Sequence, residues 1–179
     1  MVNANSPEYW DKQWSKKVKK FPAWTMNRVK WLIPNGSSVL DIGCGNGTFL
    51  RTLRDEKQCK VFGIDISAVA VGKMIELGID GLVWSAEQMD DFPYQFDYVV
   101  ATHIFEHIEN DVGLIKNIAR IAKCGAIIAV PNDCSYPEPT GEHIRKYTRE
   151  SLNALIAPYF TKIEDKTLRN HLIFKATYV

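Results

Sequence analysis

Short apolar runs alternate along the chain with stretches in which apolar residues recur every three or four positions. The short runs predict strands, because they are rich in β-branched residues and bounded by turn formers. The other stretches predict amphipathic helices. We expect strands over residues 38–42, 60–66, 81–84, 96–101, 125–130, 160–166 and 171–178. We expect helices over residues 48–54, 67–77, 111–122 and 148–157. This alternation predicts an α/β sheet with crossover helices.

Three features refine this prediction. The continuous apolar run 125–130 is typical of a strand buried on both faces, and Pro131 ends it. The last two strands are joined by a turn near Arg169 and Asn170, so they can pair as an antiparallel hairpin. The segment from 131 to 147 predicts a long loop, which in a compact domain is usually functional. Thr148 with Ser151 gives the following helix only half a capping box.

The N-terminal residues follow a different pattern. Trp10, Trp14, Val18 and Phe21 recur at roughly helical spacing, with lysines opposite. We therefore expect residues 1–36 to form a helical segment that packs on the domain or covers its site as a lid, and both alternatives stay open. Residues 37–179 are expected to form the single structural domain.

Composition limits the possible classes of protein. The chain has 179 residues and is 46% hydrophobic and 24% charged, as expected for one soluble globular domain. No run approaches the length of a membrane span, and the start lacks the features of a signal peptide, so we expect a cytoplasmic protein without a membrane partner. The four cysteines show no CxxC spacing, which argues against a disulfide scaffold or a structural zinc site. Oligomeric state is not predicted.

Charge is unevenly distributed although the net charge is +1. Residues 1–33 contain seven basic and two acidic residues, and this basic segment could attract an anionic partner. We favour a solvated helix face over such a partner as the explanation of this basic segment. The chain as a whole is not basic enough to predict a nucleic-acid partner.

A glycine-rich turn follows the first predicted strand. Asp41 is followed at every second position by Gly43, Gly45 and Gly47. This spacing differs from the GxGxxG fingerprint of dinucleotide sites, and no P-loop lysine follows. A carboxylate at this position suits the ammonium of an amino-acid-like ligand. Asp65 ends the neighbouring strand, where an acid can accept hydrogen bonds from both hydroxyls of a ribose.

This combination of glycine loop and acidic strand end resembles motifs I and II of the class I S-adenosylmethionine-dependent methyltransferases, over roughly residues 37–178. The resemblance implies a Rossmann-like seven-stranded sheet in the order 3-2-1-4-5-7-6, with strand 7 antiparallel and helices on both faces. It implies S-adenosyl-L-methionine as cofactor. Tyr9 and Trp10 resemble an N-terminal aromatic pair that covers the cofactor in some relatives. Further cofactor contacts are implied for Ile66, Ala86, Glu87, Thr102 and His103.

Histidines are concentrated in two predicted loops. In the implied strand order, the loops after strands 4 and 5 are neighbours, so His103, His107 and His143 are expected to converge near the methyl acceptor. We predict His107 as the first choice of catalytic base and His143 as the second, with Glu106 orienting an imidazole. The remaining histidine, His171, is expected to be distant. Arg145 is a candidate for steering an anionic acceptor.

Two further resemblances narrow the predicted function. The Glu106-His107 turn and the later His-x-Arg-x-Tyr-Thr segment resemble the ubiquinone-biosynthesis O-methyltransferase group. We therefore predict methyl transfer to a small molecule, at oxygen. Some relatives bind a divalent metal through Glu-x-x-Glu-His, and His103 replaces the first glutamate here, so we assign no metal ligand. Metal-assisted RNA 2′-O-methylation and a non-catalytic cofactor-binding protein are the alternatives.

Overall fold

The structure is a computed structural model that describes residues 6–16, 23–132, 134 and 143–178, with only the backbone of Ala23 and Trp24. The described part of the chain contains six α-helices, seven β-strands and two short 3₁₀ helices. The strands are β1 (Ser38–Ile42), β2 (Lys60–Asp65), β3 (Asp80–Val83), β4 (Phe96–Thr102), β5 (Ala122–Pro131), β6 (Lys162–Asp165) and β7 (His171–Thr177). The helices are α1 (Pro7–Ser15), α2 (Ala23–Leu32), α3 (Thr48–Lys57), α4 (Ala68–Glu76), α5 (Asp111–Ile121) and α6 (Arg149–Ile156).

The strands form one seven-stranded sheet in the order β3-β2-β1-β4-β5-β7-β6. The first five strands are parallel, and β7 runs antiparallel to both β5 and β6. This confirms the fold class and the strand order that the resemblance implied. It also places the carboxyl ends of β1 to β5 at one edge of the sheet, where ligands bind in open α/β folds.

Both faces of the sheet are covered by hydrophobic core. On β5, Ile128 belongs to the core formed with α5 and α6, whereas Ile127 belongs to the core formed with α2, α3 and α4. The two side chains are fully buried, which confirms that the apolar run predicts a strand covered on both sides.

Several local predictions need correction. Thr148 and Ser151 form a complete capping box, because Ser151 Oγ accepts from Thr148 N at 2.9 Å and Thr148 Oγ1 accepts from Ser151 N at 3.1 Å. The hydroxyl of Ser151 thus accepts the hydrogen bond from the N-cap amide, which a glutamate side chain usually accepts in a capping box. The N-terminal helix α1 ends at Ser15, while Val18 and Phe21 lie outside the described residues. A separate helix, α2, follows within residues 1–36, for which the sequence predicted a helical segment without dividing it into two helices.

In the described part of the chain, every helix is too short or too polar to cross a lipid bilayer. The four cysteines are free thiols, two of them buried (Cys44 and Cys59) and two exposed (Cys124 and Cys134).

We predict that Ile128→Ala lowers the free energy of unfolding by about 2–5 kcal/mol, because it removes a fully buried side chain from the central part of the sheet. Val112→Ala is the control, since Val112 is 53% exposed and its truncation should change that free energy by less than about 0.5 kcal/mol. Urea denaturation of both variants measures the difference. If both variants lost the same free energy of unfolding, the assignment of Ile128 to the buried core on one face of β5 would be contradicted.

Candidate active site

A cleft opens along the carboxyl edge of the sheet. Its empty volume is about 800 Å³, a figure that includes space open to solvent. The lining combines helix α1, the glycine loop and the loops after β2, β3 and β4. It consists of Trp10, Trp14, Gly43, Asp65, Ile66, Trp84, Ser85, Ala86, Glu87, Thr102, His103, Ile104, His107 and Ile108.

The glycine loop adopts the conformation that its sequence predicts. Gly43, Gly45 and Gly47 all have positive φ angles, which only glycine adopts without strain. A Cβ atom on Gly43 would collide with the side chain of Ile104, and one on Gly45 would collide with the indole of Trp14. The loop therefore needs glycine for its backbone conformation and for these close contacts.

Asp65, at the end of β2, is held by two backbone donors. Its Oδ2 accepts from Gly45 N and its Oδ1 accepts from Ser67 N, each at 2.9 Å. Burial raises the pKa of this carboxyl, and the two N–H groups partly oppose that effect. The carboxylate lines the cleft, so its remaining acceptor positions can receive donors from a ligand.

Asp41 lies behind the loop and is only 2% exposed. Burial, together with the charge of Asp65, raises its pKa well above the usual range. Its Oδ1 accepts no hydrogen bond from any described residue. A buried acceptor without a partner is costly, and a donor from a bound ligand would remove that cost. This pair of carboxylates beside a glycine cradle fits a ligand that carries hydroxyls and an ammonium group.

Residues after β3 form the far wall of the cleft. Ser85 begins the first 3₁₀ helix (Ala86–Asp91), and its hydroxyl accepts from Glu87 N at 3.2 Å. The Glu87 carboxylate in turn accepts from Glu109 N at 2.7 Å. The amide of Glu87 is therefore engaged within the protein, which leaves the backbone of Ala86 as the better placed of the two predicted contacts.

His103 turns the chain sharply at the end of β4. Its φ angle is +57°, and its Nδ1 lies 3.3 Å from Glu106 Oε1. Glu106 is only 1% exposed. Burial acts to raise the pKa of Glu106, but the hydrogen bond and charge of His103, with the charge of His107, outweigh burial and lower this pKa. The imidazole that Glu106 orients most directly is thus His103.

His107 and His143 form a ring pair at the mouth of the cleft. Their ring centroids are 5.0 Å apart, and the ring of Trp10 meets that of His107 at 5.5 Å. Ile144 N donates to Glu106 O at 2.9 Å, which fixes the segment that carries His143. One donor atom from each of Glu106, His107 and His143 lies within 4.8 Å of the others. Imidazole and carboxylate donors in this number could hold a borderline metal ion.

The expectation that His171 is distant is wrong. Its ring centroid lies 4.8 Å from that of His103, and the side chain is buried. Because β7 runs antiparallel to β5, its first residue pairs with Pro131 at the carboxyl end of β5. The implied strand order already contained this information, since a strand antiparallel to β5 must begin where β5 ends.

Arg145 is engaged in the scaffold of the site. Its guanidinium pairs with Asp111 and donates to Glu109 O at 2.7 Å, and Tyr147 Oη donates to the same Asp111 carboxylate at 2.8 Å. These contacts argue against a role in steering an acceptor. The other loop residues between 135 and 142 lie outside the described residues, as does Asp133.

Two tryptophans that line the cleft are not among the residues that the sequence predicts for the site. The sequence pattern places Trp14 only on an apolar helix face, whereas in the structure its indole packs on Gly45. Trp84 follows β3 directly, and its position at a strand end was the available signal. Among the predicted site residues, Asp41, Gly45, Gly47 and Glu106 lie behind the residues that line the cleft, and His143 contacts it through His107.

We predict that Asp41→Asn stabilises the ligand-free protein at pH 8 and that the gain shrinks towards pH 4. A carboxyl whose pKa is raised by folding adds stability that is complete below its ordinary pKa and is lost as the pH rises through the folded-state value. Asparagine keeps the shape and removes the charge. Thermal denaturation at the two pH values measures the effect, and an equal change at both would contradict the account of Asp41.

Known proteins resemble this chain in sequence and in fold. A family model described as "Methyltransferase domain" matches residues 8–159. The bifunctional methionine biosynthesis protein MetXA/MetW of Rhodopirellula baltica is 32% identical over 114 residues, which cover 56% of this chain and 18% of that protein. The ubiquinone biosynthesis O-methyltransferase of Pseudomonas aeruginosa is 31% identical over 125 residues, which cover 63% of this chain and 53% of the relative. The chain thus spans about half the length of the ubiquinone biosynthesis O-methyltransferase and 18% of the length of the MetXA/MetW protein.

Solved structures share the fold at low sequence identity. The N-methyltransferase NodS from Bradyrhizobium japonicum, in complex with S-adenosyl-L-homocysteine, has a TM-score of 0.76 at 15% identity and covers 97% of this chain and 98% of NodS. The magnesium protoporphyrin IX methyltransferase from Synechocystis, with the same ligand bound, has a TM-score of 0.72 at 15% identity and covers 98% and 96%. Since the family model matches most of the chain, the protein belongs to the methyltransferase-domain family, within the class I group whose cofactor is S-adenosylmethionine.

Proposed function

We propose that this protein transfers the methyl group of S-adenosylmethionine to an oxygen atom of a small molecule. The observation that carries the proposal is that the imidazoles of His103 and His107 line the same cleft as Asp65 and the glycine loop, with the buried carboxylate of Glu106 beside them. An acceptor hydroxyl must lose its proton during methylation, and imidazoles are suited to receive it near neutral pH. The similarity to ubiquinone biosynthesis O-methyltransferases supports oxygen as the acceptor atom.

The cofactor would extend along the cleft from the glycine loop to the wall after β3. We assign the ribose hydroxyls to Asp65, because its carboxylate lines the cleft between these two ends. The glycine loop and Asp41 would hold the amino-acid end. Side chains and amides at the ends of β2, β3 and β4 would complete the binding site: Ile66, Ala86, Glu87, Thr102 and His103.

The bound cofactor supplies a methyl group on a positively charged sulfur, which is already a good leaving group. The protein then has to align the acceptor with the methyl group and to remove the proton from the acceptor hydroxyl. We propose His107 as the residue that accepts the proton, since it lines the cleft and its ring is held between Trp10 and His143. His143 is the second choice. The buried Glu106 would position the imidazoles and stabilise the positive charge that one of them acquires.

The shape of the cleft favours a small acceptor. Trp10, Trp14 and Trp84 enclose it, whereas a nucleic-acid platform would need aromatic and basic side chains on an open surface. The convergence of Glu106, His107 and His143 favours one second candidate, metal-assisted methylation of an RNA 2′-hydroxyl. In that case the same three side chains would bind the ion, and His103 would contact one of these ligands, Glu106.

We predict that Asp65→Ala weakens the binding of S-adenosylmethionine by about tenfold or more, because it removes the acceptor for both ribose hydroxyls. Asp55→Ala is the matched control, since Asp55 is an exposed acid on α3 that pairs with Arg54. Titration calorimetry measures both variants. An affinity of Asp65→Ala within twofold of the unmodified protein would remove Asp65 from the ribose site.

We predict that His107→Asn lowers kcat by about 10²- to 10⁴-fold at saturating cofactor, the usual contribution of a general base. Cofactor affinity should stay within twofold, because the imidazole acts on the acceptor. The assay follows transfer of labelled methyl groups to a panel of phenolic small molecules and, separately, to short RNA. Full activity of His107→Asn would exclude it as the base. Activity on RNA that chelators abolish and added metal restores would favour the second candidate.

A further inference from the structure

Helix α1 is fastened to the cofactor side of the cleft at two separate points. At one point, the indole of Trp14 packs on the backbone of Gly45. At the other, Asp11 Oδ1 accepts hydrogen bonds from Ser67 Oγ at 2.6 Å and from Val69 N at 3.1 Å, at the first residues of α4. These contacts join residues that are more than 30 positions apart in the sequence, so they are made only when α1 is docked.

The two attachment points are also the residues that hold Asp65. Gly45 N donates to Asp65 Oδ2, and Ser67 N donates to Asp65 Oδ1, each at 2.9 Å. The contacts therefore form a closed ring that runs from Trp14 to Gly45, Asp65, Ser67 and Asp11 and returns through α1. Each residue whose backbone N–H orients the carboxylate is thus also in contact with a side chain of α1.

Helix α1 depends on these contacts for its own position. It has nine residues and no fully buried side chain, and isolated helices of this length are marginal in water. Ser6 caps its first turn, accepting from Tyr9 N at 3.2 Å, and Lys73 Nζ on α4 donates to the carbonyl of Trp14. The position of the helix consequently depends on its contacts with α4 and the glycine loop, where the Asp11 carboxylate and the Trp14 carbonyl accept hydrogen bonds from α4 and its N-cap.

We propose that Asp11 and Trp14 are positioning residues for cofactor binding, which act through Ser67 and Gly45 to fix the carboxylate of Asp65. The proposal rests on the assignment of Asp65 to the cofactor ribose. A carboxylate that must receive two hydroxyls at once needs a fixed orientation, and that orientation is set by the two N–H groups. Loss of either α1 side chain releases one of these groups, so the affinity for the cofactor falls although neither side chain needs to touch the ribose.

The same helix reaches the acid–base residues. Trp10 lies one turn before Trp14, on the same face of α1, and its ring meets that of His107. Docking of α1 through Asp11 and Trp14 therefore also sets the position of Trp10 against His107. The N-terminal segment then belongs to the site itself, as a cover that links the cofactor half of the cleft to the acceptor half.

The test compares variants of the full chain by titration calorimetry with S-adenosylmethionine. We expect Asp11→Ala and Trp14→Ala each to weaken binding by roughly tenfold, equivalent to the loss of one good hydrogen bond or ring contact. Asp11→Asn should bind within about threefold of the unmodified protein, because a single amide oxygen can accept both hydrogen bonds that Oδ1 accepts now. Trp31→Phe and Asp55→Ala are the matched controls, since both residues are exposed and remote from the cleft.

A double-mutant cycle separates positioning from general structural damage. If Asp11 acts through Asp65, then Asp11→Ala should cause no further loss of affinity in an Asp65→Ala background. Losses that add in full, or an Asp11→Ala protein that binds the cofactor as tightly as the unmodified protein, would overturn the proposal. If Asp11→Ala does not fold, Trp14→Ala, for which the same loss is expected, carries the same cycle. Unchanged binding by Asp65→Ala alone would instead overturn the ribose assignment, and the proposal with it.

Discussion

The arrangement of the cleft depends on one carboxylate that is almost completely buried. Asp65 ends β2 at 8% exposure, where an ionised group is costly unless hydrogen bonds compensate it. Two backbone N–H groups provide that compensation, one from the glycine loop and one from the start of α4. The positive φ angles of the loop bring Gly45 N to the carboxylate, so the glycine spacing and the acidic strand end are parts of one interaction.

The order of the strands brings this interaction next to the residues proposed for acid–base chemistry. β1 lies between β2 and β4, so the Asp65 side of the cleft and the His103 turn are separated only by the glycine loop. His171 is the first residue of β7, which runs antiparallel to β5, so it lies at the same edge of the sheet and contacts His103. His103, His107 and His143 therefore lie close to the buried Glu106, and His171 lies against His103, although the four histidines come from three segments of the chain. The sheet thus sets the distance between the glycine loop and the residues that we propose accept the proton of the acceptor.

The sequence was sufficient to predict the fold, and it identified the glycine loop and Asp65, which the structure places at the cleft. Alternating apolar runs located all seven strands within a few residues, and the resemblance of the glycine loop and Asp65 to known motifs implied their order. The spacing of Asp41 and the glycines is local, so it could be recognised without knowledge of the folded chain.

Contacts between distant segments could not be predicted in the same way. The proximity of His171 to His103 depends on the direction of β7, and the contact of Trp14 with Gly45 depends on how α1 docks. The pairing of Glu106 with His103, three residues earlier, depends on the left-handed conformation of His103, which no local sequence pattern signalled.

A crystal structure of the protein with S-adenosyl-L-homocysteine would test the central claim most directly. The account predicts that both ribose hydroxyls lie within hydrogen-bonding distance of the Asp65 carboxylate, with the amino-acid end against the glycine loop. A nucleoside bound elsewhere, with the Asp65 carboxylate free of contact to the ribose, would contradict it.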